Sequence, residues 1–538
     1  NSDTSIIPHV GVGHTRWATH GGVTTHNAHP HFSADESFVL AQNGIVENYQ
    51  KLKEQLKSLG HSFKTETDTE VIVRMVEEKL KDTDSLQDAV RKGFLELDGR
   101  NTIIVLSSDG EEVIAIRNGS PLVVGVGDEN EYFFASDTLS FADKTDKVAF
   151  IENHQMVVFS NGSLHLFDVK TGEKLSLTIE TLDHGNIEVN KEGYDHYMLK
   201  EVFEQRYTIK DAVGYESFEF DGLIEAIQNA GRVFTLGSGG AFYAADQVAY
   251  FLRSIAGVMA QGLRPYEIES YVPLIQDGDV LIIISQSGET ADNLEALELL
   301  KEKDIVLASV VNMIGSTTSR ISKFPFLSRT GPELCVLSTK SGSAQTSFGY
   351  MLGNAMIQKY DSARKSVHEL AGYLESEYLT EEFSERVRKI AVQLKDKEHI
   401  FLLGKGRNYQ NALVGALNIK EASYIHAEGF AAGELKHGVI ALIEEGTPVI
   451  SFVDDDSDHD YMIGATAEVK ARGAHVIGLG VENNELFDEF IPLPTQSGID
   501  AAVLMNIVPC QLLAYHLAVL RGYNPDKPRN LAKSVTVK

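Results

Sequence analysis

The chain has 538 residues, 43% of them hydrophobic and 23% charged, an ordinary balance for a globular protein and enough for more than one domain. A formal net charge of −29 works against nucleic acid or an anionic membrane as partner, so an anionic ligand needs a site built locally from dipoles and a few cations. Cys335 and Cys510 are the only cysteines, which excludes a disulfide framework and points to a reducing cytoplasm.

No signal peptide is legible, and no apolar run is read as approaching the length of a membrane span. With no Met at the start and a strand-like Val10-Gly-Val-Gly13 almost at once, the sequence is expected to begin inside a domain. Up to about Leu182 the pattern predicts helices near Asn48–Leu59, Asp68–Leu80 and Ser85–Leu95. Strands are predicted at Ile103–Leu106, Glu112–Ile116, Tyr132–Ala135, Val148–Ile151 and Met156–Phe159, with Asp-Gly, Asn-Gly and Gly-Ser turns between them. This describes an α+β domain on antiparallel sheets.

Polar chemistry is concentrated early in this domain. His14-Thr-Arg-Trp-Ala-Thr-His20, His26 and Asn27-Ala-His-Pro-His31 bring five histidines, Arg16 and the single tryptophan, Trp17, close together in sequence. The cluster contains no Cys and no helical His-x-x-x-His pair, so no metal is indicated. Asn43-Gly44, after an apolar strand, reads either as a type I′ turn or as an amide and a backbone N–H aimed at a developing oxyanion.

From about Glu192 strand and helix alternate. Strands at Val233–Leu236, Val280–Ile284, Ile305–Val311 and Phe324–Leu327 are followed by Ile400–Leu403, Val449–Val453, His475–Leu479 and Phe490–Leu493. The four pairs lie about 170 residues apart, which points to a duplicated domain with parallel sheets and ligands at the carboxyl ends of the strands. Helices over Lys359–Lys397 would join the copies. In the first copy, Ser285-Gln-Ser-Gly-Glu-Thr290 links a buried strand to a helix start, offering hydroxyls and unpaired N–H groups that suit a phosphate, or merely a capped helix. The second copy has Asp454-Asp-Asp-Ser-Asp-His459 instead, an acidic turn that would repel one. Asn418 and Glu421 share a helix face, with His437 further on. A carboxylate and an imidazole suit proton transfer beside a carbonyl, although ordinary ion pairing explains the same residues. The last ten residues show no amphipathic period and would fray, leaving Lys533 solvated unless the tail covers a site, where its amine could form a Schiff base with a ketose.

Taken in order, these stretches, with Glu66-Thr-Asp-Thr-Glu70, His196-Tyr-Met-Leu-Lys-Glu201, Ser338-Thr-Lys340, Ala432-Gly-Glu-Leu-Lys-His-Gly438 and Asn530-Leu-Ala-Lys-Ser-Val-Thr-Val537, resemble the glutamine–fructose-6-phosphate aminotransferase family along essentially the whole chain. The resemblance implies an N-terminal-nucleophile glutaminase domain (1–182), a linker (183–195), and two SIS (sugar isomerase) domains (196–360 and 361–538), with glutamine and fructose 6-phosphate as substrates, no cofactor, and a homodimer. It implies that Arg16, Thr19, His20 and Asp68 hold glutamine, that Asn43 and Gly44 form the oxyanion hole, and that Trp17 lies along an ammonia passage. It further implies that Ser285, Gln286, Ser287 and Thr290 hold the phosphate, with Ser338 near the sugar. Lys533 would form the Schiff base, Glu421 would move the proton between C1 and C2, and His437 would assist ring opening.

Four departures stand beside the resemblance. The family's nucleophile is an N-terminal Cys, and this sequence begins downstream of its expected place, which reads as missing residues. The family's Cys-Gly-Thr-Ser is here Ser238-Gly-Gly-Ala241; its helix Glu and Lys are Val414 and Asn418; and Gln42 stands where a His is usual. Ala241, Val414 and Asn418 keep open a different keto-sugar phosphate, or a sugar-phosphate sensor without turnover.

Overall fold

The computed structural model describes residues 10–128, 130–182 and 190–535, in two compact units, one holding the residues before 188 and the other nearly all that follow. The expected linker 183–195 lies partly outside the described residues, as do residues 536–538 of the tail.

The first unit is α+β. A seven-stranded antiparallel sheet runs His31–Phe32, Phe38–Gly44, Asn101–Ser107, Glu112–Asn118, Gln155–Ser160, Ser163–Asp168 and Lys174–Leu175; a four-stranded sheet runs Glu180–Thr181, Lys147–Phe150, Val123–Val126 and Tyr132–Ala135. Helices Tyr49–Ser58, Thr69–Leu80 and Leu86–Phe94 bury Leu52, Leu56, Val73, Val76 and Val90 against one face of the large sheet. Alternation along the strands supplies that face: Leu40, Ile103, Val105, Ile114, Ile116 and Val158 share the helical core, whereas Ala115 and Val157 point to the second sheet. Val10–Gly13 form no strand, because two glycines in four residues leave too little side chain to pin a pairing.

The second unit contains two five-stranded parallel sheets of identical order. The first runs Ala260–Leu263, Val233–Leu236, Val280–Ile284, Val306–Val311, Phe324–Leu327; the second runs His426–Ala431, His399–Gly404, Pro448–Val453, His475–Gly480, Glu489–Pro492. The expected duplication is therefore present at the level of topology, with the strand after the first helix placed at the sheet edge in both copies. Each copy keeps a core of its own on one sheet face, around Leu236 and Ile283 in the first and Leu403 and Val449 in the second, and the other faces share one. Val233 and Ile282 from one sheet and Ile400 and Ile450 from the other join a single buried cluster with the helices Lys340–Met356, Tyr409–Ser423 and Val508–Leu520.

That last helix corrects the expectation about apolar runs. Asp500–Leu520 spans 21 residues and holds an 18-residue stretch of mean hydropathy 1.7, long and apolar enough to cross a membrane, yet 89% of that stretch is buried. A helix wrapped on all sides by others must be apolar all round. Asp500, Asn506, Gln511 and His516 interrupt the apolar pattern in sequence; Gln511 Oε1 accepts from Gln205 and His516 Nε2 bonds Ser384 Oγ.

Candidate active site

Two places gather the candidate residues. In the first unit a small cavity of about 20 Å³ is lined by Arg16, Trp17, Thr19, His20, Asn43, Gly44 and Asp68, together with His14, His29, Gln42, Thr67 and Thr69. All the residues expected around glutamine are therefore neighbours, although they come from a loop, a strand end and a helix start. Asp68 precedes the Thr69–Leu80 helix; its Oδ2 accepts the Val46 N–H at 2.8 Å and its Oδ1 lies 3.7 Å from His20 Nδ1. Trp17 is 39% exposed and borders this cavity. Arg16 is turned inward on its own loop, donating to the carbonyls of His20, Gly21 and Gly22 at 2.7–3.1 Å.

Asn43 and Gly44 are not a type I′ turn. They end the strand Phe38–Gly44, opposite Thr102 and Asn101. Gly44 is required there: its φ is +133°, and a Cβ would lie 2.0 Å from the Arg100 carbonyl oxygen. Sequence reasoning missed what aims Asn43. His14 Nδ1 accepts the Arg16 N–H at 3.0 Å, so its Nε2 carries the hydrogen and donates to Asn43 Oδ1 at 2.6 Å. The amide is thereby fixed with its Nδ2 as the remaining donor. Burial pushes His14 below its ordinary pKa, pushes His29 down to about 3 and His31 to about 4, so all three are neutral hydrogen-bonding groups. His29 and His31 bond the hydroxyls of Thr69 and Thr67, each at 2.9 Å. Gln42, at the position where the family has His, donates to Asn101 Oδ1 and accepts from Thr69 Oγ1, both at 2.6 Å, and so braces the strand end.

In the second unit the strand Val280–Ile284 turns at Ser285–Gly288. Ser285 Oγ accepts the Gly288 N–H at 3.0 Å, and Gly288, at φ +66°, leaves no room for a Cβ, which would meet Ser316 Oγ at 2.2 Å. The loop is clamped from below: Thr318 donates to the Gly288 carbonyl through both N–H (3.1 Å) and hydroxyl (2.6 Å), and the Gln286 carbonyl accepts from Asn312 N–H. Ser285 and Ser287 are buried, Gln286 and Thr290 half-buried, at the carboxyl end of the central strand where an open parallel sheet binds ligands.

The C-terminal tail does not fray before Ser534. Ser534 Oγ donates to Ser287 Oγ at 3.0 Å, and Lys533 Nζ ion-pairs with the wholly buried Glu333 carboxylate and reaches the Leu337 carbonyl at 3.4 Å. A tail without periodicity is held by polar contacts to the site rather than by an apolar face, which hydrophobic patterning does not report. Glu421, on the Tyr409–Ser423 helix, lies close enough to feel Lys533. Burial of its carboxyl pushes it up to about 7 against the opposing pull of the Asn418 amide and the Lys533 charge. Ser338 Oγ lies 3.0 Å from Ser341 Oγ and lines a cavity of about 40 Å³ with Gly240, Gln247, Gln410 and Val414.

His437 is the residue not brought in. It is exposed, at the end of the turn Leu435–His437, closed by its own N–H to the Glu434 carbonyl, and among the described residues no hydrogen bond or ion pair joins it to Glu421 or Lys533. The acidic turn of the second copy is also more than a repulsive patch. Asp454 is buried and accepts from Asn408 and Asn506 at 2.9 Å, while Arg407 pairs with Asp454 at 2.9 Å and Asp456 at 2.8 Å, so the chain's own side chains occupy the place where the first copy has hydroxyls.

Comparison with known proteins finds relatives of both halves of the chain. A glutamine amidotransferase domain matches residues 2–206 and an SIS domain matches 226–355 and 393–521. Glutamine–fructose-6-phosphate aminotransferase (isomerising) of Pyrococcus horikoshii is 39% identical over 536 residues, and that of Thermotoga maritima 36% over 548, each alignment covering 98% of this chain and 89% of the relative. The C-terminal domain of glucosamine-fructose-6-phosphate aminotransferase from Francisella tularensis superposes with a TM-score of 0.56 at 29% identity, covering 63% of this chain and all of that one. Tagatose-6-phosphate ketose/aldose isomerase from Escherichia coli, 18% identical with a TM-score of 0.53 over 64% of this chain and 97% of its own, shares the fold. With relatives matched over nearly its whole length and both halves in the same order, the chain belongs to the glutamine–fructose-6-phosphate aminotransferase (isomerising) family.

Proposed function

We propose that this protein transfers the amide nitrogen of glutamine to fructose 6-phosphate and isomerises the product to glucosamine 6-phosphate. The glutaminase would occupy residues 1–182 and the SIS domains 196–360 and 361–538, joined by 183–195. Asp68 and Arg16 would bind the α-amine and α-carboxylate of glutamine beside Thr19 and His20, with Arg16 exchanging loop carbonyls for a carboxylate it fits bidentately. Asn43 Nδ2 and the Gly44 N–H would stabilise the oxyanion, and Trp17 would line the route by which ammonia leaves the glutamine pocket. Ser285, Gln286, Ser287 and Thr290 would hold the phosphate, and Ser338 a sugar hydroxyl. Lys533 would form the Schiff base, and Glu421 would carry the proton between C1 and C2, a role suited to a carboxyl with a pKa of about 7. For His437, which lies away from these groups, we propose a place in the site of a second subunit of a homodimer. A reducing cytoplasm fits two buried free thiols, Cys335 and Cys510.

The observation that carries this reading is the seating of the tail, which sets Lys533 and Ser534 against Glu333 and the Ser287 turn. Incubation with fructose 6-phosphate and cyanoborohydride should add a hexitol phosphate to the Lys533 peptide and to no peptide of Lys533→Ala. An unmodified Lys533 peptide would remove the Schiff base from the account. Val414 at the sugar-side cavity and the buried, unpartnered Oδ1 of Asn418 favour one second reading, a different ketose phosphate, which would then trap faster than fructose 6-phosphate.

A further inference from the structure

Glu333 and Glu201 are two buried carboxyls with a single lysine, Lys533, bonded to one of them. Glu333 stands before the Lys340–Met356 helix and is saturated with donors. Its Oε1 accepts Thr339 N–H (3.0 Å), Ser341 N–H (2.9 Å) and Thr339 Oγ1 (3.0 Å); its Oε2 accepts Ser341 Oγ (2.6 Å) and Lys533 Nζ. Two of these donors are backbone N–H groups at the start of a 17-residue helix, whose dipole favours an anion there. Glu201, on the Tyr197–Asp211 helix, accepts the N–H groups of Leu334 and Cys335 at Oε1, and its Oε2 lies 3.1 Å from Thr339 Oγ1.

Thr339 decides where the protons are. Its hydroxyl has one hydrogen and stands within hydrogen-bond distance of both carboxyls, so both contacts are full hydrogen bonds only when one carboxyl is protonated. Glu333, with every acceptor position engaged and the ammonium beside it, is the anion. The proton therefore sits on Glu201 Oε2, donating to Thr339 Oγ1, which donates to Glu333. The pKa directions agree: Lys533 and the serine donors hold Glu333 below its ordinary value despite burial, and burial beside Glu333 raises Glu201 to about 7.

We propose that Glu333 is a catalytic residue, the base and counter-ion of Lys533, and that Glu201 is a positioning residue which, through the Thr339 hydroxyl, keeps Glu333 the anion bonded to that amine. The inference rests on the Schiff-base reading of Lys533. In the balanced step, the ammonium of Lys533 gives one proton to Glu333, and the free amine attacks C2 of the ketose. The C2–N bond forms, both C2–O bonds break, and the two hydrogens lost by nitrogen, one of them passed on by Glu333, depart with the oxygen as water. Ammonium and iminium each carry one positive charge, so Glu333 as carboxylate is the counter-ion before and after, and no net proton is gained or lost.

The pH response follows from coupling within this cluster. Charged and titratable groups facing it are Lys200, Glu201 and Glu204 on the Tyr197–Asp211 helix, Glu333 and Cys335 on the following segment, Lys340, which pairs with Glu204, Glu421 on its own helix, and Lys533. Schiff-base formation needs a free amine, so trapping is favoured by rising pH; once Glu201 ionises, a second carboxylate stands beside the ammonium and opposes its loss of a proton.

The test is the rate of cyanoborohydride trapping of fructose 6-phosphate on Lys533 between pH 6 and 9, in the wild type, Glu333→Gln, Glu333→Asp and Glu201→Gln, with circular dichroism confirming that each is folded. Wild-type trapping should rise with pH and level off above about pH 7. With Glu421→Gln in the background, which removes the other carboxyl near Lys533 that titrates at about 7, Glu201→Gln should continue to rise without levelling. Glu333→Gln should trap at least about 100-fold more slowly, and Glu333→Asp should recover part of that loss. A Glu201→Gln profile that still levels in the Glu421→Gln background, or Glu333→Gln trapping at the wild-type rate, would overturn the inference while leaving the Schiff base intact. No adduct in the wild type would instead remove the reading on which it rests.

Discussion

Glu421 offers the sharpest consequence of the site's electrostatics. Its carboxyl is pushed to about 7, and the form that removes a proton from C1 is the carboxylate. The sign is fixed by that assignment: activity as a base is present above pH 7 and lost as pH falls through it. With a pKa of about 7, about one tenth of the molecules carry the carboxylate at pH 6 and about nine tenths at pH 8, so a Glu421-dependent rate should rise about tenfold across that interval. The assay requires neither glutamine nor ammonia. Fructose 6-phosphate in D2O should exchange one C1 hydrogen as the Schiff base is deprotonated and reprotonated, followed by loss of the C1 proton signal. Glu421→Gln, which keeps the size and the Asn418 contact, should slow exchange by about 10²–10⁴-fold and abolish the inflection. Asn418→Ala removes the hydrogen bond that pulls the carboxyl down, and should move the inflection to higher pH. Exchange at the wild-type rate in Glu421→Gln, or an inflection that survives it, would refute the assignment.

Three further outcomes follow from the geometry. Gly44→Ala places a methyl group 2.0 Å from a backbone oxygen at a φ only glycine adopts easily, so it should lower the unfolding temperature of the first unit in calorimetry as well as weaken glutamine hydrolysis. Asp68→Asn should reduce glutamine affinity in titration calorimetry at least about tenfold through loss of the charge facing the α-amine, while the Val46 N–H keeps an acceptor. Ser287→Ala should raise the concentration of fructose 6-phosphate needed for half-maximal trapping by about five- to tenfold, on the order of 1 kcal/mol for one hydrogen bond, and loosen the tail by removing the partner of Ser534.

Much of the architecture was legible because continuous apolar runs bounded by glycine are hard to read otherwise. Val280–Ile284, Val233–Leu236 and Phe324–Leu327 are strands at the predicted bounds, and the duplicated spacing foretold two sheets of one topology. What escaped was set by partners distant in sequence. The Asp500–Leu520 run is interrupted by polar residues whose partners lie about 50 to 300 residues away, such as Asp454, Ser384 and Gln205. The tail carries no pattern because Glu333 and Ser287 hold it. Glu333 and Glu201 lie in quoted or neighbouring motifs, yet only the fold shows that one threonine hydroxyl joins them. The acidic turn at Asp454 was read by formal charge, whereas Arg407, Asn408 and Asn506 neutralise and bond it.

The most direct measurement of the central claim supplies the full-length natural protein with glutamine labelled with ¹⁵N at the amide, together with fructose 6-phosphate, and analyses the sugar phosphates by mass spectrometry. The account predicts glucosamine 6-phosphate carrying the label, absent when Lys533 is replaced by Ala. Labelled ammonia and glutamate with no amino sugar would contradict it.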